Sequence, residues 1–290
     1  MRQIINNEQT KQQDSEHAQS RTNSVGIFDS GVGGFTVLKA LHARRPDLNI
    51  IYFGDSLNAP NGSRPPEQLH GMCQNMVQFL IDMGVDTMAV GCNSCNILMG
   101  SGELKSFGVT SFDLVGSTVE WLKLQHHQPQ NLAILGTQAT INSRYYERKL
   151  EEAFPGLPLR SMAAPKLVPL IESFPWSEYD LRTAVQEYVN PLLEEGFNSI
   201  VLACSHYRWI ERYLRELDSE MTLVDPAECL AERLVASLPP AAEGARRGEL
   251  KLYSSHPNEA FSHFAEMAIG RDAKEYIKLY IVNAYEEHNV

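Results

Sequence analysis

From Val25 onward, short apolar runs alternate with segments whose apolar positions recur every three or four residues. Val25 to Phe28 is the first run. It ends in "DSGVGG", after which Val37, Leu38 and Leu41 follow at helical spacing. That order predicts a strand, a Gly-rich turn and a helix. "NIIYFGDS" then reads as a strand and "PPEQLHGMCQNMVQFLIDMG" as a helix, with prolines near its start and Gly84 after its end. "VDTMAVGC" reads as a buried strand. Strands alternating with helices predict an α/β fold with a mostly parallel, doubly wound sheet.

The pattern then begins again. "NLAILGTQATINSRYYERKLEEAF" is another strand, turn and helix. "EYVNPLLEEGFNSIVLACSHYRWIERYLREL" is another helix, strand, cysteine and helix, and "MTLVDPAECLAERLVASL" adds a strand and a helix. Asp29 precedes Cys92 by 63 residues, and Gly136, at the matching turn, precedes Cys204 by 68. The spacing predicts two similar halves related by pseudo-symmetry. "VGCNS" pairs with "LACSH", so Cys92 and Cys204 hold equivalent places at the C-terminal ends of buried strands. In doubly wound sheets that edge binds ligands. The helix start that follows lowers a thiol's pKa and attracts a carboxylate.

Composition narrows the class. A chain of 290 residues with 43% hydrophobic and 21% charged residues suits a globular enzyme, more readily of two domains than one. The net charge of −11 argues against a general nucleic-acid footprint. No apolar run approaches the roughly 20 residues that span a bilayer. Residues 1–23 are polar and lack the apolar core of a signal peptide, so they are expected to form a disordered leader. Five cysteines without an export signal fit reduced cytoplasmic thiols rather than a disulfide framework.

Three chemistries are open to Cys92. With Cys95, Cys204 and His206 it could form a Cys₃His zinc site, although a second Cys-x-x-Cys is absent. With Cys95 alone it could form a redox pair. With Cys204 it could flank one cleft. Two opposed thiols suit proton transfer at a carbon stereocentre: one removes the α-proton from one face and the other delivers a proton to the opposite face. Asp29 and His206 are then the neighbours that tune each thiol. "GVGG" lacks the lysine of a phosphate-binding loop and the full dinucleotide spacing.

The sequence resembles the cofactor-independent glutamate racemases of the aspartate/glutamate racemase superfamily. The motifs are "GIFDSGVGGFTVL", "YFGDSLNAPNG", "AVGCNSCN", "ILGTQATINSRYYERKL", "LVPLIE", "LACSHY" and "LVDP", running from about Val25 to Leu238. The resemblance implies two α/β domains, residues 24–116 with 225–290 and residues 117–224, with the active site in the cleft between them. It implies Cys92 and Cys204 as the acid/base pair, assisted by Asp29 on one side and by His206 and Glu172 on the other. Asp29, Ser30, Asn61, Gly62, Asn93, Ser94, Thr137, Ser205 and His206 would bind the amino acid. Neither pyridoxal phosphate nor a metal is implied. The expected activity is interconversion of L- and D-glutamate for peptidoglycan in a cytoplasmic homodimer, with no nucleic-acid or membrane partner. Asn61 stands where tyrosine is usual, Ser94 and Ser205 where threonine is usual, Arg208 for proline and Cys95 for alanine. These departures keep two other readings open: a racemase of aspartate or another acidic amino acid, and a non-catalytic relative that binds a metabolite.

Overall fold

The computed structural model describes residues 24–58, 66–126, 129–173, 175–256, 259–270 and 277–281. Asn61 and Gly62 lie outside the described residues. The first half opens with β1 (Ser24–Asp29), α1 (Phe35–Arg44), β2 (Asn49–Gly54), α2 (Pro66–Asp82), β3 (Thr87–Val90), α3 (Asn93–Ser106), β4 (Thr110–Phe112) and α4 (Leu114–Leu124). The second half holds β5 (Leu132–Gly136), α5 (Gln138–Ser143), α6 (Tyr145–Ala153), β6 (Leu159–Ala163), α7 (Leu167–Glu172), α8 (Glu178–Glu194) and β7 (Ser199–Ala203). A 3₁₀ turn (Ser205–Ile210) leads into α9 (Glu211–Leu217), and β8 (Thr222–Val224) follows. The chain ends its described part with α10 (Pro226–Ser237), β9 (Leu250–Ser254), α11 (Glu259–Ile269) and β10 (Ile277–Ile281).

Among the described residues all strand pairs are parallel. The first sheet has the order β10-β9-β2-β1-β3-β4 and the second β6-β5-β7-β8. The run β2-β1-β3-β4 therefore has the same arrangement as β6-β5-β7-β8, which is the expected pseudo-symmetry. In each sheet the chain reverses its direction of winding around one strand, β1 or β5. The crevice beside that strand is where an open α/β sheet takes its ligand. Strands β9 and β10 extend the first sheet beyond the repeat.

Alternation along the strands sets the layers. Val25 and Ile27 pack on one side with α1 residues Phe35, Leu38 and Leu41. Phe28, Ile51 and Phe53 pack on the other with α2 and α3. In the second sheet, Ala133 and Leu135 join the first of these clusters, while Leu132, Ile134 and Val201 pack with α4 and α6. One apolar core thus runs through both halves. Among the described residues no helix is long and apolar enough to cross a membrane.

The Gly-rich turn after β1 is a packing device. Phe35 stacks on Tyr52 at 4.2 Å between ring centroids, and the Tyr52 hydroxyl donates to the Gly31 carbonyl at 2.8 Å. This fixes the turn so that Gly33 presses on the second half. A Cβ at Gly33 would stand 2.2 Å from Ser205 Oγ and 2.6 Å from His206 Nδ1. Gly33→Ala is accordingly expected to lower stability by about 1–3 kcal/mol, as overpacking does. Gly71 lies inside α2, and a Cβ there would meet nothing within 4 Å, so Gly71→Ala is expected to raise stability by about 0.5–1 kcal/mol. Urea denaturation of the two variants checks both signs.

Candidate active site

The site is assembled at the C-terminal ends of the four central strands. Asp29 ends β1, Cys92 follows β3 by two residues, Thr137 follows β5 and Cys204 follows β7. Extended backbone at Cys92 (φ −113°, ψ 124°) delivers the chain into α3, and similar geometry at Cys204 (φ −147°, ψ 128°) delivers it into the 3₁₀ turn. The second thiol thus precedes a 3₁₀ turn where the sequence pattern predicted a helix directly. Between the two halves lies a cavity of about 220 Å³. Ser30, Cys92, Asn93 and Ser94 line it from the first half, and Thr137, Glu172, Cys204, Ser205 and His206 from the second.

Every predicted residue that the structure describes is brought to this place, with one difference of depth. Asp29 is fully buried beneath the cavity wall and does not line it. Its Oδ1 accepts from the Gly31 N–H at 2.7 Å, and its Oδ2 accepts from Ser205 Oγ at 3.5 Å. Burial, reinforced by the negative charge of Cys92, pushes the carboxyl up to about 8, against the pull of His206.

The two thiols sit in different electrostatic settings. Cys92 Sγ lies 3.2 Å from Ser30 Oγ. Hydrogen bonding from the Cys95 thiol outweighs burial and, together with Ser30, lowers Cys92 to about 5. Cys204 Sγ lies 3.8 Å from His206 Nδ1, and His206 Nε2 lies 2.7 Å from Glu172 Oε1. Burial opposes a charge on His206, yet its hydrogen bonds to Cys204 and Glu172 hold the imidazole well above its usual range. Burial likewise acts to raise Glu172, and the hydrogen bond and charge of His206 leave it below the usual carboxylate value. One sulfur therefore rests among neutral donors and the other beside an ion pair.

Residues outside the sequence expectations complete the cavity. Ala164, Pro165, Val168 and Pro169 form an apolar wall, and Gln138, Ala139 and Thr140 continue the turn after Thr137. The turn residues were foreshadowed by "GTQAT", whereas nothing in the sequence marked Ala164 and Pro165. Tyr146 of α6 reaches across and donates to Asn93 Oδ1 at 2.7 Å. Asn93 Nδ2 is buried without a partner among the described residues, a donor left free for a ligand. Thr137 Oγ1 accepts from the Thr140 N–H at 3.2 Å and caps α5. Arg208 pairs with Glu211 at 3.1 Å and Asp225 at 3.7 Å, anchoring the 3₁₀ turn to the start of α10. All five cysteines are free and buried. Among the described residues no three of His, Cys, Asp and Glu converge in a group that could hold a metal ion.

Known proteins share this organisation. The sequence profile described as Asp/Glu/Hydantoin racemase matches residues 36–234. The glutamate racemase of Synechococcus sp. (strain CC9605) is 34% identical over 215 residues, covering 74% of this chain and 79% of that protein. The glutamate racemase of Neisseria meningitidis serogroup A is 31% identical over 243 residues, covering 83% and 87%. Among solved structures, glutamate racemase from Francisella tularensis in complex with D-glutamate has the same fold, with a TM-score of 0.79 at 22% identity, covering 91% of this chain and 99% of that one. Glutamate racemase from Aquifex pyrophilus gives 0.71 at 28% identity, covering 88% and 98%.

The His206–Glu172 pair makes a measurable prediction. His206 is raised, so its contribution to stability is full below the unfolded imidazole value of about 6.5 and is lost as pH rises through its folded value. Glu172 is lowered, so its contribution is full above about 4.3 and is lost as pH falls through its folded value. Glu172→Gln is expected to destabilise the protein by about 1–3 kcal/mol near pH 6. The deficit should shrink in alkaline solution. Denaturation midpoints measured across that range test the sign.

Proposed function

This chain belongs to the Asp/Glu/hydantoin racemase family, and on that premise we propose that it interconverts L- and D-glutamate by moving the α-proton between Cys92 and Cys204. The observation that carries the reading is positional. Each cysteine stands at the end of the strand beside the winding reversal of its own sheet, and both line one cavity. A stereocentre held between them would meet one sulfur on each face.

The surroundings support a proton transfer in either direction. Cys92, lowered to about 5, is a thiolate at neutral pH and is ready to take a proton. Beside Cys204, the raised His206 keeps a proton within reach of the second sulfur. After transfer the roles are exchanged, and the opposite enantiomer is the substrate of the exchanged form. Among the described lining residues there is no lysine or arginine. Substrate carboxylates would therefore be held by the hydroxyls of Ser30, Ser94 and Ser205, by Asn93 Nδ2, and by the free N–H groups at the starts of α3 and α5. Donors placed in this way also stabilise charge that develops on the α-carboxylate as the proton leaves. Asn61 and Gly62 belong to the same proposal as ligands of the amino acid. The two domains of the proposal are residues 24–116 with 225–290 and residues 117–224. The product D-glutamate would supply peptidoglycan synthesis in the cytoplasm, and the enzyme would act as a homodimer.

Proton exchange at the α-carbon in D₂O, followed by NMR, tests the proposal. Exchange is expected with both enantiomers of glutamate and to exceed that with aspartate. Cys92→Ser and Cys204→Ser should each reduce racemisation at least about 100-fold. Absence of exchange with every acidic amino acid overturns the enzymatic reading, and full turnover in either variant removes that cysteine from it.

A further inference from the structure

Two asparagines of α3 are buried one turn apart, Asn93 at 4% exposure and Asn96 at 1%. Their hydrogen bonds differ. Asn96 uses both ends of its amide: Oδ1 accepts from the Val115 N–H at 2.9 Å, and Nδ2 donates to Asp113 Oδ1 at 3.3 Å. That amide is spent on tying α3 to the start of α4. Asn93 uses one end. Its Oδ1 accepts from the Tyr146 hydroxyl at 2.7 Å, and its Nδ2 has no partner among the described residues. Asn93 lines the cavity and Asn96 does not. A buried donor is costly to leave unpaired, so the Asn93 nitrogen is expected to find its partner in a ligand.

We propose that Tyr146 is a positioning residue for the amino acid: its hydroxyl holds the Asn93 amide by the oxygen and so keeps the nitrogen, a donor, turned to the cavity for a substrate carboxylate. The proposal rests on the reading of the cavity as the site of an acidic amino acid. The oxygen and nitrogen of an amide are close in size, so packing alone hardly separates its two orientations. The reversed amide would offer the cavity an acceptor, which repels a carboxylate. It would also take from the phenolic proton the acceptor it now has at 2.7 Å. The hydrogen bond from Tyr146 is therefore what selects the donor.

Tyr146 suits this part because its place is fixed and its proton stays. It is 2% exposed and belongs to one apolar cluster with Val115 and Val119 of α4 and Leu150 of α6. Burial above all pushes its ionisation well up, so it is a donor at neutral pH. The chain reaches this place through a break. Arg144 (φ 52°) is the one non-glycine residue at positive φ among the described residues. It separates α5 from α6, and Tyr146 is the second residue of α6. Left-handed backbone at an arginine costs energy, and costs of this kind gather at sites whose geometry matters. Tyr146 itself does not line the cavity. It acts from the second half, through a side chain of the first.

The test is a double-mutant cycle on the full chain: Tyr146→Phe, Asn93→Ala and the two together. Urea denaturation reads the hydrogen bond and needs no ligand. Tyr146→Phe should lose stability because it leaves Oδ1 unpaired, and little of that loss should remain once Asn93→Ala removes the oxygen as well. Titration calorimetry reads the donor, with glutamate and with glutarate, a dicarboxylate that has no stereocentre. Tyr146→Phe should weaken both acids by about 3- to 10-fold, the effect of one hydrogen bond. Added to Asn93→Ala, it should weaken neither further. Tyr146→Met, apolar and adaptable in shape, should give the same affinities. A tyrosine that only fills space would change stability alone. The proposal is overturned if Tyr146→Phe binds both acids like wild type, or if it weakens them equally in the Asn93→Ala background. Exchange of the α-proton in D₂O is recorded beside the titrations. Wild-type binding without exchange overturns the racemase reading and leaves the part of Tyr146 standing, exchange with unshifted affinities does the reverse, and binding of neither acid overturns both.

Discussion

Asp29 sits where both halves meet, with no access to water, and the arrangement of the cavity depends on that fact. A carboxyl in such a place needs hydrogen bonds to remain there. It receives them from the turn that follows it and from Ser205 of the other half. Its position therefore constrains two things at once. The turn must fold tightly over it, which leaves no room for a side chain at Gly34. The segment carrying Cys204 and His206 must also lie against that turn. The cavity is the space left above this seam.

The two halves share a topology and differ in charge. The strand order that places Cys92 is the same that places Cys204. Around Cys92 the stabilising groups are a hydroxyl and a thiol, and around Cys204 they are a histidine and a glutamate. A reaction that runs both ways between mirror-image substrates asks for two groups of similar proton affinity, and it does not ask for identical surroundings. Neutral donors on one side and an ion pair on the other are two different settings for two sulfurs that face one cavity.

Much of this was legible in the sequence. Buried parallel strands announce themselves as apolar runs, and a cysteine at the end of each of two such runs is a local feature repeated in the chain. Strands β4 and β6 were not anticipated, for reasons that lie in their surroundings. β4 has three residues, and β6 is a partly exposed edge strand whose sequence, Leu159–Ala163, has no continuous apolar run. β9 and β10 lie beyond the repeated pattern, where no motif marked them. The burial of Asp29 was equally hidden, since a residue type carries no information about depth beneath a turn. Cys95 packs into the apolar cluster between α2 and α3. The salt bridge of Glu172 with His206 joins residues 34 apart and rests on the way α7 lies against the 3₁₀ turn that follows β7.

The register of β9 has a consequence for how the chain is made. Ile50 pairs with Leu250, so a central part of the first sheet is closed by residues synthesised 200 positions later. On a ribosome, β2 emerges early and presents an open edge of N–H and C=O groups until the end of the chain arrives. Open edges of this kind invite pairing with other nascent chains. The entropy of closing so long a loop grows only logarithmically with its length, so the finished sheet loses little stability by this route. The difficulty is one of time, because distant pairings form slowly. Early folding of residues 132–224 shortens the wait, since a compact second half brings residues near 124 and 225 together. Synthesis order thus makes the half inserted in the middle of the chain a scaffold for completing the half that surrounds it.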